Sequence, residues 1–109
     1  MSLRIQKINE LLKQEISDLI LRELDFSRDT LITVTKVDTS KDLLDARVGV
    51  SVLPFLKAEK VMKVLNSQVF NIQKVLDKRL KIKVVPKIRF ELDKSYERAD
   101  RVNSLLKQI

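Results

Sequence analysis

The fold is decided by residues 31–53, which read LITVTKVDTSKDLLDARVGVSVL. Residues 31–38 are rich in β-branched side chains, and residues 45–53 alternate apolar with polar side chains. Strands favour β-branched residues, and strict alternation is typical of a strand with one buried face. Because only a short polar turn separates the two segments, we expect an antiparallel hairpin. Pro54 should end its second strand.

Two amphipathic segments and a third strand surround this hairpin. Apolar residues recur at three- and four-residue steps in 3–24 and 57–78, which predicts helices. Residues 81–92 are predicted to form a strand, and Ser95 can begin a final helix over 96–108. The expected order is therefore α-β-β-α-β-α. A chain of 109 residues fits a single α+β domain that covers residues 1–109.

The composition excludes most enzyme chemistry. The chain contains no Cys, no His and a single Gly. Without Cys and His, it lacks disulfides, the commonest metal ligands and the usual general base of catalysis near neutral pH. With a single Gly, it also lacks the glycine-rich loops that bind phosphate cofactors. The three carboxylates Asp38, Asp42 and Asp45 are interpreted as turn residues and not as a metal site. We expect neither an enzyme nor a cofactor.

No stretch of the sequence predicts export or membrane insertion. The N-terminus runs directly into amphipathic sequence, and the longest apolar stretch is residues 52–56. A membrane-spanning helix needs about 20 apolar residues. The expected location is the cytoplasm, with no membrane partner.

The positive charge is concentrated in the second half of the chain. Residues 1–56 carry 8 Lys and Arg against 9 Asp and Glu, whereas residues 57–109 carry 14 against 6. The two halves therefore contribute −1 and +8 to the formal net charge of +7. Such a basic block favours a polyanionic partner, most often nucleic acid. A general solubilising surface is the alternative.

Two groups of residues carry this charge. On the predicted second helix, six polar residues spaced 3, 4, 4, 3 and 4 apart form a stripe without acidic members: Lys60, Lys63, Ser67, Asn71, Lys74 and Lys78. On the predicted third strand, alternate positions are cationic, and Arg79 precedes them. Both groups are interpreted as contacts to RNA phosphates; a solvated helix face and a lysine-protected edge strand are the alternatives. The candidate nucleic-acid-binding residues are Lys60, Lys63, Asn71, Lys74, Lys78, Arg79, Lys81, Lys83, Lys87 and Arg89.

Phe70 does not fit the pattern of the second helix. On an unbroken helix it would lie at the border of the lysine stripe, and polar Gln68 would lie on the apolar side. A bend near residues 66–70 would relieve this conflict and turn Phe70 inward, which is our prediction. The alternative is that Phe70 is exposed and stacks on a base.

Several segments together resemble the ribosome-binding factor A family of bacterial assembly factors for the small ribosomal subunit. Their order and spacing extend over almost the whole chain: ITVTKVD at 32–38, SKDL at 40–43, ARVGVSVL at 46–53, LNS at 65–67, KRLKIKVVPKIRF at 78–90 and DRV at 100–102. Where the family usually has Ala-x-Gly at the bend of its middle helix, this chain has Gln68-Val69-Phe70.

The resemblance implies a KH-like domain of the type II arrangement, α-β-β-α-β. The middle helix would be kinked, the helices would cover one face of a three-stranded sheet, and our predicted short C-terminal helix would follow. It further implies a non-enzymatic factor that binds the immature 30S subunit and its 16S rRNA. Such a factor assists late maturation, including 5′-end processing of the pre-16S rRNA, notably at low temperature. We expect a monomer without a small-molecule substrate. The alternative is a KH-like protein-interaction adaptor that does not contact RNA.

Overall fold

A computed structural model describes residues 2–24, 26 and 28–94. The predicted helix over 96–108 lies outside the described residues. The first helix is capped by Ser2, whose Oγ accepts a hydrogen bond from the Arg4 N–H at 3.2 Å. The elements are α1 (Leu3–Glu23), β1 (Leu31–Thr39), β2 (Asp45–Leu53), a 3-10 turn (Phe55–Lys57), α2 (Ala58–Arg79) and β3 (Lys87–Leu92).

The three strands form one sheet in the order β1-β2-β3, and both helices pack on one of its faces. β1 and β2 are antiparallel, which confirms the predicted hairpin, and β2 ends directly before Pro54. β3 runs parallel to β2, from the pair Asp45 and Lys87 to the pair Val50 and Leu92. The chain crosses between these parallel strands through α2, so one helix connects the centre of the sheet to its edge.

The core lies between the helices and the sheet. The inward side chains of β2 are at most 1% exposed: Ala46, Val48, Val50 and Val52. Leu12 and Ile16 of α1 and Leu65 and Leu76 of α2 cover them and are themselves fully buried. Burying one such side chain contributes about 1.5–3 kcal/mol. The opposite face of the sheet is not covered by either helix, and we call it the open face.

The third strand begins later than the sequence predicts. Residues 81–86, expected in the strand, form an irregular loop, in which Val84 is 52% exposed. The buried Pro86 explains the difference, since proline has no N–H to donate to a neighbouring strand. The buried Leu80 and the partly buried Ile82 anchor the loop to the core. Lys81 and Lys83 are therefore loop residues.

The predicted inward position of Phe70 is also wrong. α2 is one uninterrupted α-helix of 22 residues, and Phe70 is 80% exposed. The buried residues on either side of this segment, Leu65 and Ile72, keep the helical spacing. Gln68 lies between them only half-buried, and its Oε1 accepts a hydrogen bond from Asn71 Nδ2 at 2.9 Å. Because this amide is satisfied at the edge of the core, the helix does not need to bend inward at Phe70.

A bulge in β1 holds the open face together. Val34 pairs with Val50 and Lys36 with Gly49, which leaves Thr35 without a partner across the hairpin. The Thr35 hydroxyl lies 3.3 Å from the carbonyl oxygen of Gly49 and donates to Asp93 Oδ2 at 2.8 Å. A Cβ at Gly49 would lie 3.3 Å from Thr35 Oγ1, so a glycine leaves room for this side chain. The bulge therefore connects β1 with β2 and with the end of β3.

Two kinds of feature are not found in the part of the chain that the structure describes. Neither described helix combines the length and hydropathy needed to cross a membrane. Among the same residues, no three or more Asp and Glu side chains are grouped so that they could hold a metal ion.

Candidate nucleic-acid interface

The lysine stripe forms the outer face of α2. Its six side chains are all exposed, while Val61, Leu65 and Ile72 on the other side of the helix pack on the sheet. We call these six residues the helix stripe: Lys60, Lys63, Ser67, Asn71, Lys74 and Lys78. Within the described residues, none of its four lysines forms an ion pair with a carboxylate. The helix stripe therefore presents unneutralised positive charge to solvent.

The two polar members of the helix stripe bond to α2 itself. Ser67 Oγ donates to the carbonyl oxygen of Val64 at 2.7 Å, and Asn71 Nδ2 donates to Gln68 Oε1 at 2.9 Å. Neither residue holds a lysine in place. The ammonium groups on either side thus keep their hydrogen-bond donors for an anionic ligand.

Lys87 and Arg89 lie on the open face, away from the helix stripe. Their neighbours in β3, Ile88 and Phe90, are buried under the helices, and strand residues alternate between faces. Lys87 and Arg89 line a depression of about 410 Å³ together with Asp38, Asp45 and Arg47. Arg47 Nη2 pairs with Asp38 Oδ2 at 2.8 Å. The charges on this face are therefore mixed and partly neutralised within the protein.

Arg79 forms ion pairs within the helical layer. Its Nη1 lies 3.6 Å from Glu15 Oε2 and 3.8 Å from Asp18 Oδ2, both on α1. Asp18 also pairs with Arg22 at 3.0 Å. Arg79 thus connects the end of α2 to the middle of α1, unlike the unpaired lysines of the helix stripe.

Of the two loop lysines, Lys83 lies near the N-terminus of α1. Lys81 and Lys83 are exposed, and Lys83 lines a groove of about 300 Å³ together with Arg4 and Lys7. The remaining lining is mostly aliphatic: Ile8, Leu11, Leu43, Leu44, Ile82 and Val84. Arg4 and Lys7 were not among the candidate residues because they belong to the half of the chain with balanced charge. Only the fold brings them beside Lys83.

Gln73 positions the start of β3 and was also missed. Its Nε2 donates to the carbonyl oxygen of Pro86 at 3.1 Å, and its Oε1 accepts from the Ile88 N–H at 3.0 Å. The side-chain amide thus bonds to the backbone of β3 much as a neighbouring strand would. No signal in the sequence distinguishes Gln73 from the other polar residues of α2.

The turn between β1 and β2 is closed by Asp42. Its Oδ1 accepts a hydrogen bond from Ser40 Oγ at 2.6 Å and another from the Leu44 N–H at 3.1 Å. These two bonds, the Ser40 bond first, lower the pKa of the Asp42 carboxyl below its usual value of 3.8. Leu43, which lies between Asp42 and Leu44, has a positive φ of 65°. The interpretation of Asp42 as a turn residue is confirmed.

Comparisons with known proteins agree with this architecture. A family model described as "Ribosome-binding factor A" matches residues 4–106. A relative from Halothermothrix orenii named ribosome-binding factor A is 42% identical over 107 residues, which cover 97% of this chain and 88% of the relative.

Solved structures give the same result for the fold. The crystal structure of ribosome-binding factor A from Thermus thermophilus matches with a TM-score of 0.70 at 22% identity, over 81% of this chain and 94% of that one. A homology model of the Thermus thermophilus factor, fitted into a cryo-electron-microscopy map of a 30S complex, matches with a TM-score of 0.68 at 23% identity. That match covers 79% of this chain and 91% of the other. The family match over residues 4–106 and the 42% identity together show that this chain belongs to the ribosome-binding factor A family.

Proposed function

We propose that this protein binds the small ribosomal subunit by contacting 16S rRNA through the helix stripe. The observation that carries the proposal is the row of four exposed lysines without carboxylate partners among the described residues. Membership of the ribosome-binding factor A family supports the choice of partner. The Thermus thermophilus factor supports it as well, since its homology model was fitted into a map of a complex with the 30S subunit.

The length of the helix stripe suits a nucleic-acid backbone. Lys60 and Lys78 are separated by 18 residues, or about 27 Å along a helix that rises 1.5 Å per residue. Each lysine that approaches a phosphate releases condensed counterions, which makes binding favourable and dependent on salt. Lys81 and Lys83 continue the positive charge beyond the end of α2. Lys87 and Arg89 lie on the other side of the sheet, so a partner docked on the helix stripe would reach them only around the edge at β3.

The finer role follows from the family resemblance. We propose that the protein acts as one domain over residues 1–109, as a monomer in the cytoplasm, with neither catalysis nor a small-molecule substrate. It assists late maturation of the 30S particle, including 5′-end processing of pre-16S rRNA, notably at low temperature. The proposed mechanism is binding alone, in which the helix stripe offers ammonium groups to phosphates.

The test is cosedimentation of the protein with purified 30S subunits at increasing salt, followed by ultraviolet crosslinking of the bound particle. If the four stripe lysines together with Lys81 and Lys83 each contact one phosphate, the log–log salt slope should be about −4 to −5. Crosslinks should form to 16S rRNA from peptides that contain α2. Crosslinks only to ribosomal proteins would instead support the adaptor alternative. A salt slope near zero would contradict the proposal.

A further inference from the structure

Phe70 is an exposed aromatic residue at the border of the helix stripe. The side chain is 80% exposed. Burying a Phe side chain would contribute about 1.5–3 kcal/mol, and this residue does not gain that stabilisation in the fold. An isolated exposed apolar residue is common in proteins and by itself indicates nothing. The neighbours of Phe70 on α2 distinguish it from such an isolated residue.

Two lysines of the helix stripe lie on either side of Phe70. At about 100° per residue, Phe70 is about 20° from Lys63 and about 40° from Lys74 around the helix axis. Along the axis, Lys63 lies about 10 Å before it and Lys74 about 6 Å after it. All three side chains are exposed. The ring therefore lies between two ammonium groups on one continuous surface.

The charge around Phe70 is asymmetric. On the side of the ring away from the helix stripe, Glu59 and Asp77 are each about 20° from Phe70 around the helix axis, and both are exposed. A phosphate backbone would be attracted to the lysine side and repelled from the carboxylate side. A base attached to that backbone can then lie over the ring. Paired bases are already stacked inside a helix, so only an unpaired nucleotide fits this arrangement.

We propose that Phe70 stacks on an unpaired base of single-stranded RNA while Lys63 and Lys74 hold the phosphates on either side of it. The inference rests on the proposed function and deepens it by naming the class of RNA that the helix stripe binds. Lysines supply affinity for any nucleic acid, whereas an aromatic ring selects strands whose bases are free to stack. The helix stripe should therefore prefer single strands to duplexes.

The test uses the affinity of the full chain for two probes: an oligouridylate of about 12 nucleotides, within the usual site sizes for single-strand binding, and an RNA duplex of equal charge. Phe70→Ala should weaken binding of the single strand by about 5- to 150-fold, the range found for loss of one stacked base. Binding of the duplex should change by less than about twofold. Because no charge changes, the salt slope should stay the same.

Further variants separate stacking from a general apolar contact. Phe70→Leu should bind as weakly as Phe70→Ala, since leucine has no π-face to stack on a base. Phe70→Trp should retain affinity and, because the chain contains no other Trp, should report stacking by quenching of its fluorescence. Leu56→Ala is the matched control, since Leu56 is 95% exposed directly before α2. It should bind as the wild type does.

Three results would overturn the proposal. One is unchanged affinity of Phe70→Ala for the single strand, and another is full affinity of Phe70→Leu, which would indicate an apolar contact such as a protein partner makes. The third is equal loss of affinity for single strand and duplex. If any of these results is found while reversal of the stripe lysines abolishes binding to 30S subunits, the stacking proposal is wrong and the proposed function stands. If the wild type binds neither RNA nor 30S subunits, the stacking proposal and the proposed function are both wrong.

Discussion

The outer face of α2 and the open face of the sheet contain cations from the same basic block of sequence, but they lie on opposite sides of the sheet. The lysines of the helix stripe have no carboxylate partners among the described residues. On the open face, Arg47 is paired with Asp38, and the nearby depressions are also lined by Asp45, Glu91 and Asp93.

The difference shows that charge counted along a chain does not define a binding surface. Lys78 and Lys87 are nine positions apart, yet a change from helix to strand places them on opposite sides of the domain. A polyanion gains most where positive charge is unneutralised, because a paired cation must give up its partner or share it. We therefore expect binding to depend on the helix stripe and the folded structure to depend on the open face.

The largest expected effect is the loss of 30S binding when the helix stripe is reversed. Lys63→Glu, Lys74→Glu and Lys78→Glu together change the charge by six units at exposed positions. Each lost charge-assisted hydrogen bond contributes about 1.5–3 kcal/mol, so the triple variant should bind at least about 1,000-fold more weakly. Surface changes usually alter stability by about 0.5 kcal/mol or less each, so the fold should persist. Cosedimentation measures the binding, and circular dichroism the fold.

The matched control reverses three exposed cations that line the depressions of the open face: Lys36→Glu, Lys87→Glu and Arg89→Glu. The change in charge is the same six units, but the positions lie across the sheet from the helix stripe. Screening at physiological salt acts over about 8 Å, so we expect less than about tenfold weakening. Equal loss from both triple variants would show that net charge, and not a localised surface, governs binding.

The next effect concerns Gln73, which connects α2 to the start of β3. Gln73→Leu would remove its bonds to Pro86 and Ile88 and leave two backbone groups at the start of β3 without these partners. A buried group that loses its partner costs about 1–3 kcal/mol, so the free energy of unfolding in urea should fall by that amount.

Gln68→Leu is the control for this variant, since the Gln68 side chain bonds to Asn71 on the same helix and lies beside Leu19 and Ile72. It should not lower the free energy of unfolding. Hydrogen exchange at the Ile88 amide should accelerate in Gln73→Leu alone. If Gln73→Leu changed neither the free energy of unfolding nor hydrogen exchange at Ile88, β3 would be held in place by its pairing with β2 alone.

The parts of the fold that the sequence predicts well are those set by local patterns. The hairpin over residues 31–53 follows from alternation and a short turn, both of which are visible in adjacent residues. The helix stripe follows from helical spacing alone. By contrast, the start of β3 depends on Pro86 and on the bond from Gln73, a contact across the fold that leaves no periodic signal.

Phe70, Arg4 and Lys7 also show where prediction from local sequence patterns ends. The periodic pattern places Phe70 at the border of the helix stripe, but the assumption that an aromatic residue must be buried led to the wrong prediction of a bend. Arg4 and Lys7 lie close to Lys83 in the fold, although they are more than 70 residues away from it in the sequence. Contacts between distant segments require the tertiary structure.

A smaller effect is expected at Thr35, on the open face. Thr35→Val keeps the shape of the side chain but removes the hydroxyl that bonds to Gly49 and Asp93. The net contribution of one hydrogen bond is about 0.5–1.5 kcal/mol, so urea unfolding should show a loss of this size. Binding to 30S subunits should not change. A variant of normal stability that binds weakly would reverse the roles we assign to the two faces.

The smallest effect is the pH dependence of the turn that closes the hairpin. The bonds from Ser40 and Leu44 lower the pKa of Asp42 below 3.8, so the folded state favours the ionised carboxyl. Its stabilising effect is therefore fully present above pH 3.8 and is lost as the pH falls through the lowered pKa. Asp42→Ala should lower the free energy of unfolding at pH 7, and its difference from the wild type should shrink at lower pH. Binding to 30S subunits at pH 7 should stay the same, because Asp42 lies away from the helix stripe. Urea titrations of both proteins at pH 7 and near pH 3 test this, and a difference that grows on acidification would contradict the assigned role of the ionised carboxyl.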